Sequence, residues 1–329
     1  MKILGIASPG PNTAACLISR DTILAAIEEE KLTRANEQHA LPQLSIASVF
    51  SAAGLDISDV DSIAVADRGA RHGRRKDAVR EASFAQLRQI LSGRRLARFD
   101  HHLCHAASAY YTSDFSRSLI LTLDHGLHAK SGLLALGEDD QIKSFHSLAF
   151  PNSQGWFYSR ATQLAGLRPQ RDEHKLQWLS KDSAGNSESE NRGHPHDGMR
   201  ESFREVFEKL FSWNAKGLPV FDRKYFSAGA DGAGVFSPRF YRELGLSRTS
   251  APTDPAVRSA LARRAQTLLE EIVLRLVENF RESTGTDSLS LAGGVFQNVL
   301  LVRALEQRSG FRNVYVQPVP GNAGTSLGA

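Results

Sequence analysis

Apolar and polar positions along this 329-residue chain follow two periods, two and 3.6, which predicts a mixed α/β protein. Lys2–Ala7 is an apolar run, and Ser8-Pro9-Gly10-Pro11-Asn12 after it must turn. Thr13–Ser19 and Thr22–Glu28 read as a β-hairpin closed at Arg20-Asp21. Leu44–Ala53 has helical spacing and stops at Gly54. Ser62–Ala66 is a strand, Ala78–Leu91 a helix, Leu96–Phe99 a strand and His102–Tyr111 a helix. The opening then recurs. Ser118–Leu123 is a strand, Asp124-His125-Gly126-Leu127 a turn, and Ser131–Gly137 and Gln141–Leu148 are strands. Two units that open alike predict a duplicated sheet, with lobes at 1–113 and 114–329.

Beyond them the pattern thins. Ser180–Arg192 is polar and rich in Gly, Ser and Glu, so it reads as a loop, and a variable insertion is expected over about 180–260. Within it only Glu201–Phe211 has helical spacing. Leu261, Ala265, Leu268, Ile272, Leu276 and Phe280 form the clearest helical stripe, best explained by packing. Ser288–Ala292 is a strand, Gly293-Gly294 a tight turn, Gln297–Arg308 a helix and Asn313–Gln317 the last strand. Ser326–Ala329 reads as the first turn of a helix, with more polypeptide expected after it.

Composition narrows the class. Hydrophobic content of 41% and charged content of 23% are ordinary for a globular protein. No apolar run is long enough to cross a bilayer, Met1–Ile6 is too short for a signal peptide, and a cytoplasmic protein is expected. The two cysteines, Cys16 and Cys104, sit among small apolar residues and read as reduced and structural. Net charge is +4, yet Arg68–Arg98 alone holds ten Lys/Arg and two Asp/Glu. Phe84 is the single aromatic residue there, so the segment reads as a solvated basic face and no nucleic-acid partner is expected.

The chemistry concentrates elsewhere. His101 and His105 stand at i and i+4, on one face of a helix, so a single ion can be gripped from one turn. Asp124 ends the apolar run of the following strand and is a plausible third ligand. Nitrogen and oxygen ligands without a cysteine cluster favour Fe, Mn, Zn or Ni in a functional site. Gly293-Gly294, between a strand and a helix, lets a ligand approach the backbone. A helix N-terminus there presents N–H groups to an anion, and Asn298 lies about one turn in, within reach of a ribose or carbonyl. Gly321-Asn322-Ala323-Gly324 repeats the pattern after the last strand. Two such turns at neighbouring strand ends suit a ligand crevice, though neither matches a P-loop or a dinucleotide fingerprint.

Taken together these stretches resemble the O-carbamoyltransferase family of antibiotic and nodulation-factor biosynthesis (the NodU/CmcH type). The likeness runs through Ile3–Ile6, Ala14–Leu17, Ala25–Glu30 with Thr33-Arg34, His101–Ala109, Leu121–Asp124, Ser153–Ser159, Leu167–Lys175, Leu291–Asn298 and Val316–Ala329. It implies an α/β, two-lobed, actin-like ATPase fold, a duplicated ribonuclease-H-like unit with a nucleotide and metal site between the lobes. The N-terminal half of such enzymes is similar to the catalytic subunit of tRNA threonylcarbamoyladenosine synthesis. A separate YrdC-like part, in cis or in trans, makes carbamoyl adenylate from ATP and carbamoyl phosphate. This chain resembles the first half, which passes the carbamoyl group to a hydroxyl of a small-molecule acceptor. A homodimer is compatible with that reading.

Residue by residue, the resemblance puts Fe(II), or another divalent metal, at His101, His105 and Asp124. Gly126, Gly155, Tyr158, Gly293, Gly294, Asn298 and Gly321 fall to the adenylate, and Lys175 to a phosphate or carbamoyl oxygen. Three positions depart from the family. Asn322 replaces the aspartate of Gly-Asp-Ala-Gly and offers a neutral amide oxygen as fourth ligand. Pro11-Asn12 replaces His-Asp in the first turn and removes an imidazole suited to proton transfer, leaving His102 or His125 as candidate base. The family's Asp-Gly-X-Gly reads Asp124-His125-Gly126-Leu127. These departures keep open a second reading, a non-catalytic or altered nucleotide-binding relative acting as a partner subunit. A third, an actin-like sugar kinase, is disfavoured because the first turn lacks an acidic residue.

Overall fold

The computed structural model describes residues 1–7, 12–35, 41–67, 81–82, 84–89, 94–126, 130–182, 197–227 and 235–329. Pro11, most of the basic segment and the polar stretch 183–196 lie outside them. The first lobe holds β1 (Lys2–Ala7), β2 (Ala14–Ser19), β3 (Thr22–Glu28), α1 (Glu29–Thr33), α2 (Gln43–Ala53), β4 (Ser62–Asp67) and β5 (Arg95–Asp100). α3 (His101–Tyr110) leads to the second lobe, with β6 (Arg117–Leu123), β7 (Lys130–Glu138), β8 (Gln141–Ala149), α4 (Gln154–Leu164), α5 (Glu173–Asp182) and α6 (Asp197–Glu208). Short strands β9 (Phe211–Trp213), β10 (Pro219–Phe221), β11 (Phe226–Ser227) and β12 (Val235–Phe236) and the helix α7 (Pro238–Glu243) come next. Then follow α8 (Pro255–Thr284), β13 (Ser288–Ala292), α9 (Val299–Arg308), β14 (Asn313–Val316) and α10 (Thr325–Gly328).

The two large sheets have the same topology. The first runs β3-β2-β1-β4-β5 and the second β8-β7-β6-β13-β14. In each, the first strand pairs antiparallel with its hairpin partner on one side and parallel with a crossover strand on the other. β1 and β6 are therefore central, and both are largely buried, which is why they read as unbroken apolar runs. The duplication expected from the sequence is present.

Several elements have bounds that differ from their patterns. α8 spans 30 residues because Asp254 caps its start by accepting from the Ala256 N–H, Pro255 sits in its first turn, and Gly285 ends it in the left-handed region. α6 starts at Asp197 and stops at Glu208, and Phe211 begins a strand. The helix expected from Gln297 starts two residues later, at Val299.

Side chains alternate along β6. Leu119, Leu121 and Leu123 join the main core with Leu268, Ile272 and Leu276 of α8. Ile120 packs on the opposite face with Ala106 and Tyr110 of α3, so the histidine helix is seated on the second sheet. Thr122 and Asp124 share that parity and also face α3. At the other end of the chain, α10 packs against both β1 and α3. A Cβ on Gly5 would stand 2.0 Å from the Ser326 carbonyl oxygen, and one on Gly328 would stand 1.9 Å from that of Cys104. Glycine at both positions permits this approach, and the Cys16 thiol donates to the Ser326 carbonyl at 2.9 Å.

Candidate metal and nucleotide site between the lobes

Asp100 ends β5 and caps α3 without an intervening loop, accepting from the N–H groups of His102 and Leu103 at 3.1 Å each. The helix therefore starts one residue before its apolar pattern, and His101 falls in the first turn. Its Nε2 lies 3.0 Å from Asp124 Oδ2, and His105 Nε2 lies 3.8 Å from the same oxygen. Ligand atoms of all three residues sit within 4.8 Å of one another. His105 is fully buried, and neither ring nitrogen has a hydrogen-bond partner among the described residues. Burying such nitrogens unpaired is costly, so this donor set fits a divalent cation. The helix and the strand end were both legible, and the structure brings them together.

His102 goes elsewhere. Its Nδ1 lies 2.8 Å from Thr122 Oγ1, and burial pushes its imidazole down to about 4. A neutral, enclosed ring held on a threonine is outside the crevice lining, which corrects its candidacy as the base. His125 does line the crevice. Its N–H donates to Asp124 Oδ1 at 2.9 Å, and its carbonyl accepts from Ser153 Oγ at 2.8 Å.

The crevice is about 1120 Å³ and lies between the lobes. The first lobe contributes Asn12, Glu28, Glu30 and Lys31, and the second Asp124, Gly155, Tyr158, Gly294, Asn298, Gly321 and Asn322. The loops after β6, β13 and β14 stack along one edge, because those strands are parallel neighbours. Gly293, at φ +104°, approaches so closely that a Cβ would stand 2.1 Å from the Leu123 carbonyl oxygen, and its N–H donates to Pro320 O at 2.7 Å. Its backbone N–H is thus spent within the protein, and any anion contact falls to the residues after it. Gly126, at φ +61°, is likewise tight against Ser131, and a Cβ on Gly155 would meet the Asp124 carbonyl at 2.8 Å. These two glycines seat the Asp124 loop.

Other expected site residues have partners within the protein. Lys175 pairs with Asp172 at 2.9 Å and is absent from the crevice lining. Asn298 caps α9, its Oδ1 accepting from Leu300 N and Leu301 N at 3.1 and 3.0 Å. Tyr158 donates its hydroxyl to Gln266 at 2.7 Å, and burial raises its phenol well above the usual range.

The Carbamoyltransferase N-terminus family model matches residues 76–329. The chain belongs to the carbamoyltransferase N-terminal family. Nodulation protein NolNO of Sinorhizobium fredii is 30% identical, over 97% of this chain and 46% of that protein. The uncharacterized protein sll1178 of Synechocystis is 27% identical, over 99% and 56%. The chain thus spans about half the length of the curated relatives it matches. Among solved structures, component A of (R)-2-hydroxyglutaryl-CoA dehydratase from Acidaminococcus fermentans aligns over 100% of this chain and 96% of its own, with TM-score 0.51 and 13% identity. A ROK family protein from Streptococcus pneumoniae, solved with sucrose, aligns over 100% and 97% with TM-score 0.50 and 11% identity. Both support the two-lobed actin-like fold and nothing finer.

Within this carbamoyltransferase domain, Glu28, Glu30, Lys31, Gln170, Arg171 and His174 also line the crevice, and sequence reasoning assigned none of them a role there. Glu29, between two lining residues, turns away and caps α2, accepting from Leu44 N, Ser45 N and Ser45 Oγ. No helix among the described residues is long and apolar enough to cross a membrane.

Proposed function

We propose that this chain is the acceptor-side domain of an O-carbamoyltransferase. It would transfer the carbamoyl group of carbamoyl adenylate to a hydroxyl of a small-molecule acceptor, in natural-product or sugar biosynthesis. The observation that carries this reading is the His101–His105–Asp124 cluster beside an inter-lobe crevice, in a chain of the carbamoyltransferase family.

In the reaction, the acceptor oxygen bonds to the carbamoyl carbon, the bond from that carbon to the phosphate oxygen breaks, and AMP leaves. The hydroxyl proton passes to a base. A divalent ion, Fe(II) in this reading, held by His101, His105 and Asp124, would supply Lewis-acid polarisation of a bound oxygen. The Asn322 amide replaces a carboxylate on the same wall and contributes no charge. The loop carrying Gly294 approaches Asp124 closely, and the backbone after Gly293 would meet the phosphate. His125 takes the role of base because it lines the crevice, whereas His102 is enclosed. Carbamoyl adenylate would come from a YrdC-like domain in cis or in trans, fed by ATP and carbamoyl phosphate.

The test combines this chain with a YrdC-like partner, ATP, carbamoyl phosphate and a panel of alcohols. The expected result is a carbamoylated alcohol with stoichiometric AMP, reduced by His125→Gln. Formation of carbamoyl adenylate with no carbamoylated product from any alcohol would refute the assignment. A second reading, a non-catalytic partner subunit, is favoured by Asn322 and by Pro11-Asn12. It predicts no bound metal in purified protein. The catalytic reading predicts one ion per chain and tighter binding in Asn322→Asp, by about tenfold or more, since a carboxylate adds charge to the donor set.

A further inference from the structure

The His101–His105–Asp124 cluster offers an ion a single carboxylate among the described residues. Imidazoles bind metal as neutral ligands, so a divalent ion held there keeps a net charge of about +1. Asp124 Oδ1 also accepts from the His125 N–H at 2.9 Å, which draws on the same negative charge. Both imidazoles are buried, where a charge left uncompensated is costly. The turn at 320–322 stands beside this cluster. Its Pro320 carbonyl accepts from the Gly293 N–H at 2.7 Å, and a Cβ on the next residue, Gly294, would be 3.1 Å from Asp124 Oδ1. A carboxylate at position 322 would neutralise the ion, and the Asn322 amide does not. Glu28 and Glu30 line the crevice from the first lobe but lie outside the cluster, and Glu30 is paired with Lys31 at 3.1 Å.

A nucleotide phosphate in the same crevice meets the opposite deficit. Lys175 is held by Asp172 at 2.9 Å and is absent from the lining, and Lys31 is held by Glu30. Arg171 and Arg303 line the crevice but are exposed, where water and salt screen their charge. The Gly293 N–H is already taken by Pro320. Among the described residues, no unpaired buried cation lines the wall, so the positive charge best placed for a phosphate is the ion itself.

We propose that the neutral Asn322 makes the ion and the nucleotide phosphate depend on each other, each binding about tenfold or more tightly when the other is present, because each supplies the charge that the wall withholds. The inference rests on the divalent-ion and adenylate readings above. It goes beyond them in making metal and nucleotide binding cooperative, and in assigning that cooperativity to one side chain.

The test titrates Mn(II) into the wild-type chain, reading free ion by electron paramagnetic resonance, with no nucleotide, with AMP and with adenosine, after allowing for the Mn(II)–AMP complex in solution. AMP should lower the Mn(II) dissociation constant by about tenfold or more, and Mn(II) should lower that of AMP, read by calorimetry, by the same factor, as linkage requires. Adenosine carries no phosphate and should change Mn(II) binding by less than about twofold. Asn322→Asp should bind Mn(II) alone more tightly than wild type does. Its coupling to AMP should fall to within about threefold, because the carboxylate already supplies the charge. Coupling below about threefold in wild type, equal coupling by adenosine, or full coupling in Asn322→Asp overturns the inference while both binding sites stand. Wild type that binds AMP but never Mn(II) overturns the ion reading together with it, and wild type that binds Mn(II) but never AMP overturns the adenylate reading together with it.

Discussion

Replacing His105 with leucine should leave the metal-free protein as stable as wild type, or more so. The side chain is 0% exposed, and neither ring nitrogen has a hydrogen bond among the described residues. A buried polar group without a partner costs about 1–3 kcal/mol, whereas an apolar side chain of similar size carries no such penalty. The gain from removing it is offset by imperfect packing, of order 1 kcal/mol, against the neighbouring His101 ring, whose centroid is 4.5 Å away. The net expectation is a change between zero and about 2 kcal/mol in favour of the variant, where a typical buried substitution loses about 1 kcal/mol. Metal reverses the order. Wild type should gain about 2.7 kcal/mol at a hundredfold excess of ion over its dissociation constant, and the variant little or nothing. Urea unfolding in chelator, and then in Fe(II), Mn(II) or Zn(II), reads both quantities. A loss of more than about 2 kcal/mol in chelator would refute the claim that this imidazole is kept at a cost to stability. A variant that retains the metal increment would refute its role as ligand.

Gly5→Ala should cost more than about 2 kcal/mol in urea unfolding, because its Cβ would stand 2.0 Å from a backbone oxygen and 2.8 Å from Cys16 Sγ. Gly54→Ala, at φ +62° with nothing within 4 Å, should cost only about 1 kcal/mol, and equal losses would contradict the packing argument. Burial pushes both thiols up to about 12, so Cys16 and Cys104 should resist a disulfide reagent at pH 8 in the native protein and react once it is unfolded. Arg168 and Lys175 hold the Asp172 carboxyl well below its ordinary value of 3.8. A depressed folded value contributes stability above 3.8 that is lost as pH falls below it. Asp172→Asn should therefore flatten the acid limb of a stability–pH profile, and an unchanged limb would show that the pair contributes nothing.

The His101–His105–Asp124 cluster was the most legible part of the candidate site, because each component is local. Helical spacing of four aligns His101 with His105, and the apolar run before Asp124 marks a strand end. The duplicated sheet was legible for the same reason, since each lobe opens with its own alternating hairpin. α8 extends past its Leu261–Phe280 apolar stripe at both ends, because the Asp254-Pro255 cap and Gly285, not the stripe, set where the helix starts and stops.

What local pattern determines is which side chains share a face and where an element ends. What only the tertiary structure decided is which faces meet and where each polar group is spent. His102 and His125 look alike as imidazoles near an aspartate, yet one is enclosed on Thr122 and the other lines the crevice. Lys175 had charge suited to a phosphate, and Asp172, three residues before it, claims that charge. Gly126, Gly155 and Gly293 read as ligand turns, and in the fold they admit neighbouring backbone. Gln266 carried no signal at all, since its hydrogen-bond partners Tyr158 and Asn298 lie more than 30 residues away on either side along the chain. Hydrogen bonds are short-ranged and valence-limited, so a side chain's function depends on which partners reach it first, and that is settled when the two sheets and α8 pack together.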